Sequence, residues 1–568
     1  MAKSQTAPEA QFFRSRAIPG PALQSVPPAS QRSACRTAAA PVARCSGWRV
    51  LAPLLAAALI SACGGAGDDA VDDTDMPLPD GVDRVQALGA SATSPNCFRV
   101  PAAATPTGQR QVRDFGALPD DAHDDTDAIQ HALDTLRAGQ TLVFSPGRYL
   151  ISRSLRVRNP GITITGAGAT IHATNPDNQA LVIEADGTTV SSLTFTAVTD
   201  VRRHAAWHSR IVVAADIPGG YRPVYNTVIR NNRIVNAGAP GTSTANSASG
   251  GGILLLRANG FLVANNTVVR TLADGIHVSS ASKNGRILNN VVRETGDDMI
   301  GVVSYTSSTR PISPATVLSS WNTRVDSYLV RNVLIAGNQL GGQYWGRGIS
   351  VVGGQRITIS RNTIDNVPLA AGVFVAREAG YQTFGVENVL IESNLIRNVQ
   401  NMSPPYDYRN KFATASRAGH GAVEIQAGLF EDEAANPSFR ELVSVRNVLM
   451  RGNVVDRATY SGARAGVNLV QTVTLTDSSG RLVQRNVVAG DVHNVGFASG
   501  QFNNVIAYNT PGSVAIRVPS VELSTHGVYC TGNHRDGAVY QPSVCKQAVE
   551  PAASGAPLNC SPEGLLLQ

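Results

Sequence analysis

The stretch VLIAGNQL at residues 333–340 is followed shortly afterwards by ITISRNTI at residues 357–364. Each stretch places one asparagine between two runs of β-branched and other apolar residues. The same phrase occurs eight times along the chain, with its asparagine at Asn232, Asn266, Asn290, Asn338, Asn362, Asn394, Asn453 and Asn486. Successive positions in this series differ by 34, 24, 48, 24, 32, 59 and 33, so a basic step near 24 is lengthened by insertions.

A step of this length predicts a solenoid in which each repeat forms one coil and buries its apolar side against its neighbours. Aromatic residues are only 5% of the chain, whereas glycine occurs 53 times, which favours short strands and tight turns. The sequence therefore predicts an all-β fold, a right-handed parallel β-helix. A leucine-rich repeat would show a leucine framework that is missing here. We expect asparagine at one turn of each coil, because it tolerates left-handed backbone angles and can hydrogen-bond along a stack.

The segment before the coils has the pattern of an amphipathic helix. In DDTDAIQHALDTLRAGQ, residues 124–140, one face carries Ala128, Ile129, Ala132, Leu133 and Leu136. Acidic residues begin this helix and Gly139 ends it, so we expect a short cap over the exposed end of the solenoid. The acidic residues 120–125 lack the spacing and glycine of an EF-hand loop, so we interpret them as the solvated start of the helix.

The N-terminal residues have the parts of an export signal. Arg44 and Arg49 precede the apolar run VLAPLLAAALI, and ISAC at residues 60–63 resembles a bacterial lipobox. This resemblance implies a lipid anchor on Cys63, and Gly64 and Gly65 after it imply the outer membrane of a Gram-negative bacterium. The alternative is an ordinary cleaved signal and a periplasmic or secreted protein.

The net charge of +6 lies entirely in this leader. Residues 1–62 hold seven basic side chains and one acidic one, which leaves 41 of the 48 basic and 41 of the 42 acidic residues for the rest. A neutral mature chain removes the electrostatic case for a nucleic-acid partner. The sequence does not indicate an oligomeric state.

Composition divides the chain into four parts. We predict a leader and lipoprotein signal at 1–62, a flexible tether rich in Gly, Asp and Pro at 63–107, a β-helix domain at 108–525 and a C-terminal tail at 526–568. The even number of cysteines after Cys63 predicts two disulfides in an exported protein, with their pairing left open. These cysteines are Cys97, Cys530, Cys545 and Cys560.

A second strand follows most asparagine turns, and its copies can be stacked. They are GGILLL (251–256), DGIHVS (274–279), DMIGVV (298–303), RGISVV (347–352) and AGVFVA (371–376). In this alignment the Ile276 position points inward, and the His277 position, which Gly301 and Ser350 share, points outward. Because neighbouring coils lie about 4.8 Å apart, we expect Asp274 and Asp298 one above the other, with Asp297 beside them.

Three carboxylates in one small patch disfavour joint ionisation, so at least one should have a raised pKa. A protonated acid next to ionised carboxylates is what glycoside cleavage requires, because one group protonates the leaving oxygen while the others activate water. The sequence thus predicts a catalytic cluster of Asp274, Asp297 and Asp298, acting on a polysaccharide.

These motifs resemble a known family. DGIH at residues 274–277, followed one coil later by GDDMI at residues 296–300, is similar to the NTD and GDD motifs of the polygalacturonase and rhamnogalacturonase glycoside hydrolases, which have this β-helix fold. Residues 113–151 also resemble the opening segment of pectin-lyase-like β-helix proteins, and the likeness in fold covers roughly 111–520. The resemblance implies that Asp298 is the general acid and that Asp274 and Asp297 position the water.

The chain departs from this family at two places. Arg347 of GRGIS stands where the family has a GHG histidine, and the family's RIK strand is absent, with Arg377 nearby but out of phase. A literal GHG contains His420, which we interpret as a remote cleft or turn residue at least two coils too far along. As substrate-binding residues we predict His277, Tyr305, Arg347 and Arg377.

The interval from Asn290 to Asn338 is twice the basic step but contains no further asparagine turn. We interpret residues 302–328 as a long loop that walls a cleft and leaves Arg347 next to Asp298. Its aromatic residues could stack on sugar rings, although loop packing is the simpler interpretation. With their neighbours they are Tyr305, Trp321, Tyr328, Tyr344 and Trp345.

Two other functions remain open at this point. One is a lyase or epimerase on a uronic-acid polymer, with the aspartates binding calcium or neutralising the sugar carboxylate and Arg347 or Arg377 abstracting a proton. The other is a non-catalytic surface solenoid that binds glycan, in which the aspartates only shape turns. For the hydrolase, we predict no cofactor.

Overall fold

The computed structural model describes residues 108–197, 205–217, 220–235, 250–308, 311–342, 346–368, 370–399, 420–457, 459–460, 467–469, 474–476, 482–507, 516–517, 527–541 and 545–547. The predicted anchor Cys63, and Cys97, Cys560, Tyr344 and Trp345, lie outside these residues. Within them, no helix combines the length and the hydropathy that a membrane span needs.

The described chain winds into coils, and most coils give one strand to each of three parallel sheets, as in the predicted right-handed parallel β-helix. The first sheet has fourteen strands, and most of them lead into an asparagine turn. They are Gly108–Gln111, Gln140–Val143, Thr163–Thr165, Thr189–Ser191, Val224–Arg230, Ala258–Ala264, Lys283–Leu288, Arg331–Ala336, Gly354–Ser360, Val386–Glu392, Val445–Arg451, Val492–Ala498, Val528–Thr531 and Lys546–Gln547.

Among the described residues the second sheet has thirteen short strands, and most of them begin directly after an asparagine turn. They are Gly147–Ile151, Ala169–Ala173, Thr194–Ala197, Arg233–Ile234, Thr267–Val269, Val291–Arg293, Gln339–Gly341, Thr363–Val367, Leu395–Val399, Val454–Asp456, Gln501–Asn503, His534–Arg535 and Ala538–Val539.

The third sheet carries the aspartate motifs at the start of its strands. Its thirteen strands are Leu155–Val157, Leu181–Ile183, Ile211–Val213, Ile253–Leu256, Ile276–Ser279, Ile300–Val303, Ile349–Val352, Val373–Arg377, Val423–Phe430, Val467–Leu469, Thr474–Thr476, Leu482–Ala489 and Ile516–Arg517. Two small two-stranded sheets pair Ala215–Ile217 with Gly220–Arg222 and Thr459–Tyr460 with Ile506–Ala507.

The predicted register of the third sheet is confirmed. Ile276 pairs with Ile253 and Ile300, and the column continues through Ile349 and Val373. All five side chains are fully buried in the main core. A register slip of one residue would turn this column towards solvent, so the buried column fixes which residues face outward.

Buried asparagines stack along the turn between the first and second sheets, from Asn232 to Asn453. In each pair the backbone N–H and the Nδ2 of one asparagine donate to Oδ1 of the next, at 2.9–3.1 Å. The Nδ2 also donates to a main-chain carbonyl, as from Asn338 to Ile287 O at 3.0 Å. The stack predicted from the repeat is therefore present, and each asparagine satisfies several buried groups at once.

Two details of the predicted turn are wrong. The left-handed angle belongs to the residue before each stacked asparagine, such as Asn289 at φ 55 and Arg361 at φ 54. Asn486 is not a member of the stack, because Leu482–Ala489 pairs antiparallel with Val423–Phe430. In the next coil Gly500 takes the asparagine position and its N–H donates to Asn533 Oδ1 at 2.9 Å.

A second asparagine stack, which the repeat analysis missed, lies within the first sheet. Asn284 donates to Asn259 and Asn332 donates to Asn284, each at 2.9 Å, and Asn447 donates to Asn388 at 3.0 Å. All of these residues except Asn259 adopt left-handed angles, for example φ 56 at Asn332, which asparagine tolerates better than most residues.

Long intervals in the repeat are single coils with insertions, as predicted for the one between Asn290 and Asn338. The insertion after Ile300–Val303 forms two helices, Pro314–Ser319 and Trp321–Tyr328, and the strand Ile349–Val352 pairs directly with Ile300–Val303. A later insertion forms Glu431–Ala434 and Pro437–Leu442. The two insertions pack together in a separate apolar cluster that includes Val317, Trp321, Phe439 and Val443.

The predicted cap is confirmed as the helix Thr126–Thr135, which ends before the expected Gly139. Its apolar face is buried in the main core. Asp125 accepts from the N–H groups of Leu118 and Leu150, each at 3.0 Å, so its carboxylate is used inside the fold. The remaining helical turns are Val112–Phe115, Ala206–His208 and Ala379–Tyr381.

The solenoid continues beyond the predicted boundary at residue 525. Val528–Thr531 pairs in parallel with Val492–Ala498, and Asn533 restores the asparagine position. A disulfide joins Cys530 to Cys545. The residues predicted as a separate tail therefore add strands to the coils as far as they are described.

Replacing Asn362 by Ala should destabilise the fold strongly. The change removes the acceptor for two buried donors of Asn338, and such losses cost roughly 1–3 kcal/mol each, so we expect a loss of about 2–6 kcal/mol. Equilibrium urea unfolding measures the difference. As a control, Asn494→Gly removes an exposed amide at a left-handed position and should cost under about 1 kcal/mol. Equal costs for both changes would contradict the role given to the buried stack.

Candidate active site

The three aspartates of the sequence motifs come together at the start of the third sheet. One carboxylate oxygen from each of Asp274, Asp297 and Asp298 lies within 4.8 Å of the other two. The main chain holds this arrangement, because the N–H of Gly275 donates to Asp298 O at 3.0 Å. Gly275 is required here, since a Cβ would lie 2.6 Å from the main-chain oxygen of Met299.

Asp298 is the most buried of the three carboxylates, with 5% of its surface exposed. Its Oδ1 accepts from the backbone N–H of Arg347 at 2.7 Å, and its Oδ2 accepts from the hydroxyl of Ser350. Burial raises the pKa of Asp298 to about 7, aided by the charges of Asp297 and Asp274 and opposed by Arg347 and Ser350. A carboxyl with this pKa can hold a proton near neutral pH.

Asp274 is held by a buried histidine. The Nδ1 of His277 hydrogen-bonds Asp274 Oδ2, and only 6% of His277 is exposed. Burial opposes the imidazolium, but the carboxylates of Asp274, Asp298 and Asp297 outweigh it and raise the pKa of His277. The bond of His277 to Asp274 orients this carboxylate, and substrate contact by His277 stays a prediction.

Arg347 lies over the cluster as predicted, and it is bound on several sides. Its Nη1 is 3.5 Å from Asp298 Oδ2, its Nη2 donates to Glu378 Oε1 at 2.5 Å, and its guanidinium lies 4.3 Å from the centre of the Phe374 ring. Burial lowers the pKa of Arg347, but Glu378, Asp298 and Asp297 reverse this effect and raise it. Arg347 is therefore a fixed cation and unsuited to act as a base.

No sequence pattern indicates the roles of several residues of the site. Strand alternation predicts correctly that Ser350 faces away from the core, but no pattern predicts its bond to Asp298. Glu378 follows the end of the strand Val373–Arg377, where no repeat marks it. Burial and the charges of Glu378 and Asp297 raise the pKa of Tyr381, so this phenol stays neutral and lies beside the same carboxylates.

The predicted aromatic residues divide between the site and the insertion. Tyr305 pairs with Thr383 and packs on the outer apolar cluster that contains Phe374. Trp321 instead packs edge-on against Phe384, with ring centres 5.1 Å apart, and the Tyr328 hydroxyl donates to Ser308 Oγ at 3.5 Å. Loop packing therefore accounts for Trp321 and Tyr328, whereas Tyr305 remains next to the site.

The predicted role of Arg377 in substrate binding is wrong. Its side chain is fully buried and forms a two-pronged ion pair with Glu433, at 2.7 Å for each bond. It also donates to the carbonyl of Gly428 at 2.6 Å. The alternation of the strand turns Arg377 into the interface with the inserted helix Glu431–Ala434, where it cannot contact a polysaccharide.

His420 lies on a coil beyond Arg347, as predicted, but it is linked to the site. Its ring stacks on the Phe374 ring, with ring centres 5.0 Å apart, and the guanidinium of Arg347 also lies over the Phe374 ring. The strand pairing of Phe374 with Ser350 and with Glu424 brings these coils together. The sequence distance from the aspartates concealed this contact.

The cluster has the donor set of a calcium site, since three carboxylate oxygens lie close together. However, the guanidinium of Arg347 already lies 3.5 Å from Asp298 Oδ2 and supplies positive charge to the cluster. The positive charge of Arg347 therefore offsets part of the negative charge of the three carboxylates, and we assign no metal ion to the cluster.

Residues 109–317 match the family described as Rhamnogalacturonase A/epimerase, pectate lyase-like. This match covers little more than a third of the chain and includes all three aspartates, but it ends before Arg347. The three parallel sheets show the fold, a right-handed parallel β-helix, and the match shows that residues 109–317 are similar to this family. The sequence matches no curated protein at a significant level.

Similar solved structures share the fold at low identity. The mannuronan C-5 epimerase AlgE6 A-module of Azotobacter vinelandii has a TM-score of 0.45 and 15% identity, covering 76% of this chain and 100% of that one. The GH87 α-1,3-glucanase catalytic unit of Streptomyces thermodiastaticus strain HF3-3 has 0.43 and 16%, covering 78% and 71%. PfbA, a surface adhesin of Streptococcus pneumoniae, has 0.41 and 14%, covering 75% and 89%. Likeness at this level says nothing about the activity of this chain.

Arg377 should prove structural when it is replaced. Arg377→Met leaves Glu433 buried without its partner, so we expect a loss of about 3–5 kcal/mol in urea unfolding. The double variant Arg377→Met, Glu433→Leu should lose less, because no charge remains buried alone. Arg451→Met, which breaks an exposed pair with Glu392, should cost under about 1 kcal/mol. Arg377→Met with unchanged stability would contradict this assignment.

Proposed function

We propose that the protein is a polysaccharide-degrading enzyme, a glycoside hydrolase in which Asp298 is the general acid and Asp274 and Asp297 activate water. One observation carries the proposal. Asp298 is buried, its pKa is raised to about 7, and two further carboxylates brought in by the fold lie within 4.8 Å. Asp298 can therefore be protonated while Asp274 and Asp297 are ionised. Cleavage of a glycosidic bond needs both forms, one as the acid and the other as the base.

The reaction follows from these positions. Protonated Asp298 gives its proton to the glycosidic oxygen as the bond from that oxygen to the anomeric carbon breaks, and the bonding electrons stay with the oxygen. Water adds to the anomeric carbon and passes its proton to Asp274 or Asp297. Ser350 suits the acid, because its hydroxyl can donate to the carboxylate and accept from the carboxylic acid.

The distance between the carboxylates bears on whether hydrolysis inverts or retains the anomeric configuration. Oxygens within 4.8 Å are closer than the roughly 6.5–9.5 Å separation of carboxyl groups in most inverting glycosidases and nearer the roughly 5–5.5 Å of retaining ones. Asp274 and Asp297 are placed either to activate water as a base or to attack the sugar directly as a nucleophile. The anomeric configuration of the first product distinguishes these two roles for Asp274 and Asp297.

The alternative functions receive less support. A lyase or epimerase with an arginine base does not fit, because Arg377 is paired with Glu433 inside the fold and the pKa of Arg347 is raised. A glycan-binding solenoid with a flat, uncharged surface does not fit a patch that contains Asp274, Asp297 and Asp298.

The proposal includes attachment to the outer membrane through a lipid on Cys63. The ISAC sequence supports it, and the Cys530–Cys545 disulfide is typical of an exported protein. We expect the full chain to incorporate labelled palmitate in a Gram-negative host and to appear in the outer-membrane fraction. Cys63→Ala should abolish both, and labelling that persists in this variant would contradict the anchor.

The activity should depend on pH through Asp298. Because the acid must be protonated, kcat/KM should fall as the pH rises through about 7, where Asp298 loses its proton. Asp298→Asn cannot give a proton and should lower kcat by roughly 10²-fold to 10⁴-fold or more, with the fold and glycan binding retained. Reducing-end assays from pH 5 to 9 on a polysaccharide panel measure both effects.

The variant Ser350→Ala distinguishes a role of Asp298 as the general acid from a purely structural role. The lost hydrogen bond lowers the pKa of Asp298 in the wild-type protein, so the variant should move the alkaline limb upward by roughly 0.5–1 pH unit. Ser360→Ala, at a hydroxyl in the first sheet, should leave the limb unchanged. Full activity of Asp298→Asn would rule out the assignment of the acid.

A further inference from the structure

One residue beside the site has an unusual backbone. Gln382 follows the turn Ala379–Tyr381, in the loop of residues 378–384 that leads from the strand Val373–Arg377 towards the strand Val386–Glu392. It adopts φ 47 and ψ 51, in the left-handed region, and only 4% of its surface is exposed. Glutamine seldom takes these angles, and a residue held in them persists only where its surroundings fix it.

The side-chain amide of Gln382 is bonded to the main chain of the insertion that follows Ile300–Val303. The N–H of Ile312 donates to Gln382 Oε1 at 2.9 Å, and Gln382 Nε2 donates to Ile312 O at 2.8 Å. The amide therefore exchanges two hydrogen bonds with a single residue, as a hydrogen-bonded partner in an antiparallel pair of strands does.

The main chain of Gln382 is bonded to the same insertion. Its carbonyl accepts from the N–H of Thr306 at 3.0 Å and from Thr306 Oγ1 at 2.7 Å. The next residue, Thr383, forms a β-bridge with Tyr305, and Thr383 Oγ1 accepts from the N–H of Glu378 at 3.0 Å. The 378–384 loop is therefore held to the insertion at several points, and the bonding continues to its first residue.

That first residue reaches the catalytic cluster through Arg347. Glu378 Oε1 accepts from Arg347 Nη2 at 2.5 Å, while Arg347 Nη1 lies 3.5 Å from Asp298 Oδ2. A shift of the loop would move the carboxylate of Glu378 and with it one of the groups that orient Arg347. A chain of contacts thus joins Gln382 to the proposed general acid.

We propose that Gln382 is a positioning residue of the active site. By bonding the 378–384 loop to the insertion, it keeps Glu378 against Arg347 and thereby keeps Arg347 oriented on Asp298. The inference rests on the proposed hydrolase function, in which Asp298 is the acid. Gln382 acts on the reaction through Glu378 and Arg347.

Gln382→Met tests the proposal, because it keeps the size of the side chain but removes both bonds to Ile312. On the polysaccharide that the wild-type chain cleaves fastest, we expect kcat to fall by about tenfold or more, because a misplaced group slows the chemical step. KM should change by less than about twofold, because no substrate contact is removed. Gln382→Gly, which takes left-handed angles without strain, should show the same loss of kcat in a chain that keeps its fold.

The cap provides a matched control. The amide of Gln130 also exchanges two bonds with one residue, Arg156, at 2.8 and 2.9 Å. Gln130→Met should leave kcat unchanged, whatever it costs in urea unfolding. If Gln382→Met lowers kcat no more than Gln130→Met does, the positioning role is wrong.

A double-variant cycle tests the route through Glu378. Glu378→Gln removes the charge that pairs with Arg347. In that background Gln382→Met should lower kcat by less than about twofold, because residues that act through one another are not additive. Additive losses would overturn the route, since a general loss of stability adds to the effect of Glu378→Gln.

Hydrogen exchange of the full chain, followed by mass spectrometry, separates this inference from the proposed function. In Gln382→Met the N–H of Glu378 should exchange about tenfold faster or more than in the wild type, whereas Gln130→Met should leave it unchanged. Faster exchange confined to Thr306 and Ile312 overturns the inference and leaves the hydrolase function in place. A wild-type chain that cleaves no polysaccharide of the panel overturns the hydrolase function, while faster exchange at Glu378 would still support its positioning by Gln382.

Discussion

The stacked asparagines are the constraint on which the site depends. Each one joins its own coil to the next through the backbone N–H and the side-chain amide, and its Oδ1 receives the same two bonds from the previous coil. The bonds are buried, so a shift of register would leave several donors without acceptors. Because this turn is fixed, the strands that follow it in neighbouring coils stay in register. Asp274 and Asp298 therefore lie side by side although they belong to different coils.

The same constraint explains what the sequence predicts well. A repeating asparagine and a column of buried Ile and Val residues have a period, and a period defines neighbours in space. The fold, the pairing of Ile276 with Ile300 and the meeting of the three aspartates all follow from it. Helix periodicity likewise locates the cap at Thr126–Thr135.

The errors lie where the period stops. Asn486 has the right local phrase, but its strand pairs antiparallel with a neighbour, which only tertiary contacts decide. Arg377 stands at the end of a strand beside an insertion, and the partner that buries it, Glu433, lies far along the chain with no repeat to link them. The contacts of Glu378 with Arg347 and of Ser350 with Asp298 are not predicted for a related reason, because single polar contacts leave no pattern in one sequence.

The two insertions form an apolar cluster of their own, but the buried pair of Arg377 with Glu433 ties them to the coils. Their helices meet through Val317, Trp321, Phe439 and Val443, in a cluster apart from the main core. The coil beneath them closes without their help, since Ile300–Val303 pairs directly with Ile349–Val352. However, opening of this cluster would also separate Arg377 from Glu433 inside the fold, so the stabilities of the insertions and of the coils are coupled. Loosening of the insertions would therefore disturb the strand Val373–Arg377, which leads directly to Glu378, the partner of Arg347.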